Sequence, residues 1–302
     1  MAYQGFVEEL PVGQDGLNGA ENLALVLPTQ LTDALNISYA SGALSRDGGA
    51  THLNGTALTG TPTVIGCWDW FPAVATQRTV ALTSNGNAYK DTGGGVFGVT
   101  LATGKLWTSS SIPVFAEGGK EAAANNAKLF IFTGQEQVQV LSADGLVLAD
   151  ITAGTRPADW AASFPYCGAN HEGRLWGGGN TNAPHTVYFS STTNYEDFSA
   201  AASLINIHPG EGQRIVAMCS FKGLLIVWKY PRGIYAIDTS SPTTANWRVS
   251  RIASTLGGAG PRCWCVVEDD ILFMDAAGNF HFLSAVQEFG SLASTSISKR
   301  VW

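Results

Sequence analysis

The residues best placed for chemistry lie in His171-Glu172-Gly173-Arg174-Leu175-Trp176-Gly177-Gly178-Gly179. A histidine and an arginine beside three glycines could form an active or phosphate-binding loop, because glycine lets backbone amides approach an anion and a guanidinium offers a fork of donors. A short apolar strand enters this bend, however, and the strand-like His185-Thr186-Val187-Tyr188-Phe189-Ser190 leaves it, so the glycines read as a turn. Asp69 stands between Trp68 and Trp70, where neighbouring rings can raise a carboxyl pKa. The simpler reading is an aspartate at a strand end with its indoles packed. Among 24 acidic residues no pair declares the separation of about 5 to 9.5 Å that glycoside hydrolysis requires. Ser142-Ala143-Asp144-Gly145 only approaches the repeated turn of sialidase-like propellers.

The remaining chemistry-bearing residues are scattered. His52, His171, His185, His208 and His281 form no pair at metal-ligand spacing. Cys263-Trp264-Cys265 places both thiols on one face of a strand, and with Cys67, Cys167 and Cys219 they read as reduced core thiols. A nucleophile elbow, a Walker loop and a dinucleotide fingerprint are all missing. The expectation is a non-enzyme without cofactor or metal.

Composition supports a structural role. Charged residues make up 14% of the 302 positions, against about 25% in ordinary domains. The surface must therefore be largely Ser, Thr, Asn, Gln and Gly, as in β proteins that lie against other protein. Seventeen basic and 24 acidic residues give a net charge of -7, and no basic run exceeds Lys299-Arg300, which argues against a DNA-gripping surface. The apolar run Leu224 to Trp228 is too short to span a bilayer, and Met1 to Gly13 has no secretory pattern.

A repeat organises the chain. Short apolar strands begin at Thr79, Lys128, Arg174, Gly223 and Asp270, at separations of 49, 46, 49 and 47 residues. Each is followed by a turn and a second strand, at Asn87-Ala88-Tyr89, Val138-Gln139-Val140, Val187-Tyr188-Phe189, Ile234-Tyr235-Ala236 and Phe280-His281-Phe282. Alternating segments precede some hairpins, as at Arg214 to Cys219 and Arg262 to Val267, and Val147 to Ile151 and Trp247 to Ser250 can form outer strands. A period of about 40 to 50 residues built of short strands predicts an all-β fold, a β-propeller of about five to six four-stranded blades. The alternative is a β-sandwich with long irregular loops. Residues 1–36 form an arm and one short helix over Thr29 to Asn36, and residues 37–302 form the propeller. A sixth blade is expected from residues 37 to 60 with Ser296 to Trp302. Trp176, Trp228 and Trp264 are expected in the core, whereas Trp107 and Trp160 are less constrained.

Six short stretches carry a resemblance. Gly16-Leu17-Asn18, Leu31-Thr32-Asp33-Ala34-Leu35-Asn36 and Gly42-Ala43-Leu44-Ser45-Arg46-Asp47-Gly48 resemble the opening of propeller-containing bacteriophage tail proteins of the nozzle or tail-tube type. His171 to Trp176, Val187-Tyr188-Phe189-Ser190 and Asp197-Phe198 are similar to that family's most recognisable blade. The resemblance implies a virion structural protein of the tail or neck, assembled in the host cytoplasm into a ring of copies around the DNA channel. Its implied partners are other neck or tail proteins (adaptor, fibre or spike), with viral DNA as non-specific cargo. An acidic lumen suits DNA that must slide. Gly16, Leu17 and Asn18 in the arm, Asn180, Asn182 and Pro184 in the wide bend, and Trp302 are the candidate interface residues. The rival readings are a glycan-binding or glycan-degrading tail propeller and an interaction scaffold of the WD40 or kelch kind.

Overall fold

The structure is a computed structural model that describes residues 37–40, 43–46, 57–58, 60–73, 76–92, 96–120, 127–142, 145, 147–152, 154–200, 203–284 and 286. The chain divides into two units, one of residues 53–294 and one of residues 1–52 with 295–302. In the smaller unit β1 (Ile37–Ala40) and β2 (Ala43–Arg46) pair antiparallel, Ile37 opposite Arg46. The arm, the short helix and Ser296 to Trp302 lie outside the described residues.

The larger unit is a β-propeller of five antiparallel blades. The first contains β3 (Val64–Ala73), β4 (Thr76–Thr83), β5 (Ala88–Lys90) and β6 (Val99–Ala102). The second contains β7 (Val114–Lys120), β8 (Ala127–Phe132), β9 (Gln139–Leu141) and β10 (Leu148–Asp150). The third contains β11 (Cys167–His171), β12 (Arg174–Gly178), β13 (Thr186–Phe189) and β14 (Leu204–Asn206). The fourth contains β15 (Arg214–Phe221), β16 (Leu224–Tyr230), β17 (Ile234–Asp238) and β18 (Arg248–Ala253). The fifth shows three strands among the described residues, β19 (Trp264–Val267), β20 (Asp270–Met274) and β21 (Phe280–Phe282). Every blade is a meander, each strand pairing with the next in sequence. The five repeat positions fall on or at the start of the second strands, which excludes the sandwich. No described helix is long and apolar enough to cross a membrane.

Local chemistry sets the hairpins. His171 pairs with Arg174 across Glu172-Gly173, and Phe221 pairs with Leu224 across Lys222-Gly223. Both residues of each turn have positive φ, 47° and 68° in the first and 48° and 76° in the second. That is the backbone of a two-residue hairpin turn, and glycine at the second position makes it accessible. The glycine after His171-Glu172 therefore serves an inner turn, not an anion cradle.

The core lies in the seams between successive blades. Trp70, Val80 and Leu82 meet Phe115, Leu129 and Ile131 in the first seam. Phe130 and Phe132 meet Leu175, Tyr188 and Phe198 in the second. Trp176, Val187 and Phe189 meet Ile215, Leu225 and Val227 in the third, and Ile226 and Trp228 meet Ile271 and Phe273 in the fourth. Each large apolar side chain buried there stabilises by about 1.5–3 kcal/mol. Trp176 and Trp228 are core residues, as the strand pattern implies. Trp107 and Trp160 are equally buried, a difference from the sequence reading: Trp160 sits on a 3-10 turn (Ala158–Ala161) whose indole fills the second seam. Trp264 is only half-buried, stacked parallel to Trp228 with centroids 6.2 Å apart.

Candidate functional site

The first strands of all five blades, or the residues just ahead of them, line one cavity of about 530 Å³. Trp68 on β3 and Phe115 on β7 stack with centroids 5.5 Å apart and planes at 20°. The Trp68 Nε1–H donates to Glu117 Oε1 at 2.6 Å. Asn170 on β11 donates through Nδ2 to the Glu117 carbonyl at 2.9 Å and accepts from Tyr195 Oη at 3.2 Å. Ser220 on β15 is hydrogen-bonded to His171 Nδ1 at 2.8 Å. Arg262, two residues ahead of β19, reaches across so that its guanidinium lies 5.4 Å from the Phe115 centroid. Gly66 makes room for it: a Cβ there would stand 3.2 Å from Arg262 Nη2 and 2.6 Å from Pro113 Cγ.

Glu117 and Arg262 are the charged side chains of this lining. Burial pulls the Arg262 pKa below its ordinary value, with Cys67 opposing. Burial also pushes the Cys67 thiol up, against the pull of Arg262 and with a smaller upward push from Asp69. The cavity therefore joins aromatic walls to one partly desolvated cation and one carboxylate already engaged by an indole.

A second polar cluster holds the connection between β14 and β15 against the fourth blade. Lys229, fully buried on β16, donates to the His208 carbonyl at 3.1 Å and to Glu211 Oε2 at 3.2 Å. Tyr235 Oη donates to the same carboxylate at 2.9 Å, and Arg251 pairs with its other oxygen. Burial pushes the Glu211 pKa up, but bonds from Tyr235 and Lys229 and the charges of Lys229 and Arg251 outweigh it, leaving a net fall.

The residues singled out from sequence lie elsewhere. Gly16, Leu17, Asn18 and Trp302 are outside the described residues. Asn180 is fully buried, and neither side-chain polar atom has a hydrogen-bond partner among the described residues. Asn182 is exposed, its backbone N–H bonded to Ser163 Oγ at 3.0 Å. Pro184 is half-buried, and its carbonyl accepts the Ile215 N–H at 2.7 Å. A Cβ on Gly179 would stand 2.2 Å from the Ile215 carbonyl oxygen, so the wide bend is drawn against the fourth blade. Its width serves that seam, and Asn182 is the member of the trio facing solvent.

Asp69 is exposed and accepts from Thr79 Oγ1 at 2.8 Å, while Trp68 and Trp70 point to opposite environments. His171 is buried between Ser220 Oγ and Thr239 Oγ1, both at 2.8 Å, and burial lowers its pKa, opposed by Glu172. His281 is buried, stacked on Phe273 at 5.5 Å and hydrogen-bonded to Asp275 at 3.0 Å. Cys263 lies just ahead of β19 in the fourth seam while Cys265 is exposed, so the two thiols do not share an environment. Among the described residues no three His, Cys, Asp or Glu side chains converge as metal ligands. The cavity residues Trp68, Phe115, Glu117 and Arg262 were not singled out from sequence, because nothing local marks a residue as facing the cavity.

No family model matches the chain, and no curated protein does. Solved structures are similar only in fold. BBS1N in its crystal complex with ARL6DN is 9% identical with a TM-score of 0.42, covering 73% of this chain and 65% of that one. The computationally designed protein Ika8 is 12% identical with a TM-score of 0.40, covering 71% and 57%. Raptor from Chaetomium thermophilum is 11% identical with a TM-score of 0.42, covering 69% and 18%. The chain spans less than two thirds of the length of each.

Proposed function

We propose that this chain is a non-enzymatic structural protein of a bacteriophage tail or neck, a propeller that assembles in several copies as a nozzle or connector ring around the DNA path. One observation carries the reading. The pieces of sequence that resemble the family's blade fall together on one blade, His171 to Trp176 across the β11–β12 hairpin and Val187 to Phe189 in β13. Phe198 packs beside them on Trp160, with centroids 4.9 Å apart. The net charge of -7 suits a wall past which DNA slides. In this reading the propeller's own cavity, which Arg262 crosses, is not that path. The conduit belongs between subunits.

The measurement is the mass and symmetry of the purified full chain, with its incorporation into particles. A ring of defined copy number that joins virions is expected. A strictly monomeric protein that never enters particles overturns the proposal. Glycan depolymerisation abolished by replacing one carboxylate would instead establish the carbohydrate-active reading.

A further inference from the structure

We infer that the cavity bounded by Trp68, Phe115 and Arg262 is a binding site for a small organic carboxylate with an aromatic or alkyl body. The inference rests on which polar groups of the lining are already used. Glu117 accepts from the Trp68 indole. Both ends of the Asn170 amide are bonded, and Ser220 is held by His171. Arg262 differs: among the described residues its guanidinium makes a ring contact with Phe115 but no hydrogen bond or ion pair.

A guanidinium carries five donors in a fixed fork that matches a carboxylate bidentately. One face on Phe115 leaves the edge of that fork free for an acceptor. Arg262 is itself exposed, so the fork is open to an incoming acceptor while the aromatic wall beside it holds the body the acceptor is attached to. The rest of the wall decides the ligand's body. Trp68, Phe115, Trp264 and Met218 present aromatic and apolar surface within about 530 Å³, the size and character of small-ligand sites, which are mostly apolar with a few placed polar groups. Inorganic phosphate lacks a body to fill it, and a cation finds Glu117 already engaged. This inference does not depend on the virion reading, because it concerns ligand binding by the isolated chain.

The test titrates the full chain with 4-phenylbutyrate and follows tryptophan fluorescence and heat, since Trp68 and Trp264 line the cavity. The amide and amine analogues, and the peptide Ala-Ala-Phe with free or amidated C-terminus, form the other arms. Saturable binding of the acid is expected, weakened about tenfold or more in the amide and in Arg262→Gln, with partial recovery in Arg262→Lys. Tighter binding of 4-phenylbutyrate than of the free-acid peptide assigns the site to a free small acid, and the reverse order to a chain terminus. Equal affinity for acid and amide, equal affinity in Arg262→Gln, or no saturation up to about 10 mM overturns the inference. A second measurement needs no arginine variant. Cys67 lies on the same wall with an exposed thiol, so the acid should slow its alkylation by neutral iodoacetamide while leaving Cys265 unaffected. An unchanged Cys67 rate at saturating acid also overturns it.

Discussion

Replacing Gly168 with alanine tests how the second and third blades meet. Gly168 on β11 pairs with Gly177 on β12, and the Phe132 ring lies against both. A Cβ on Gly168 would stand 2.3 Å from both Cε2 and Cζ of Phe132, where carbon contacts settle at about 3.5–4.0 Å. The ring must move by more than an ångström, yet Phe132 is fully buried. Overpacking of this kind costs about 1–3 kcal/mol. The Gly168 backbone is not left-handed, so alanine recovers about 0.4–1 kcal/mol through the unfolded chain. A net loss of up to about 2.5 kcal/mol remains, roughly 2–4 °C of melting temperature per kcal/mol for a unit of this size. The assay is urea denaturation followed by circular dichroism, in the wild type and in a Phe132→Ala background. Phe132→Ala alone should cost about 3–5 kcal/mol. In that background the new methyl fills space, so Gly168→Ala should become neutral or stabilising, a coupling of about 0.5–3 kcal/mol. Equal cost in both backgrounds, or a stabilised single variant, refutes the ring-on-glycine seam.

Other outcomes follow from the same packing. Leu225→Ala and Ile271→Ala, both at fully buried positions, should each cost about 2–5 kcal/mol in the same denaturation assay. Because the Glu211 pKa is lowered in the folded chain, its contribution is complete above the ordinary glutamate value of 4.5 and fades as pH falls through the folded value. Glu211→Gln should therefore flatten the stability profile on the acid side, and an unchanged profile would contradict the clamp. Deleting residues 1–28 should impair assembly while the circular dichroism of the propeller persists; normal particles from the truncated chain would remove the arm from the assembly.

The blade architecture was legible because hairpins recur at a near-constant period. Thr79, Lys128, Arg174 and Asp270 lie on the second strands, and Gly223 immediately precedes one. Which residues face the cavity was not legible. A strand shows alternation only when its two faces differ, and β16 is buried on both, from Leu225 to Lys229. Cys67 and Trp68 on β3, and Arg262 ahead of β19, are the converse: they are exposed and look like ordinary surface positions until the blades bring them to one cavity. The wide bend was visible as glycine and asparagine, but the burial of Asn180 depends on the fourth blade, 35 residues further along at Ile215.

The seams give the propeller a direction of failure. Each core is shared by neighbouring blades only, so cooperativity passes from blade to blade as in a one-dimensional array. Amide hydrogen exchange should therefore be slowest in the second strands β12 and β16, buried along most of their length, and faster in the outer strands β6, β14 and β18, so that each blade opens from its rim and Trp176 opens last.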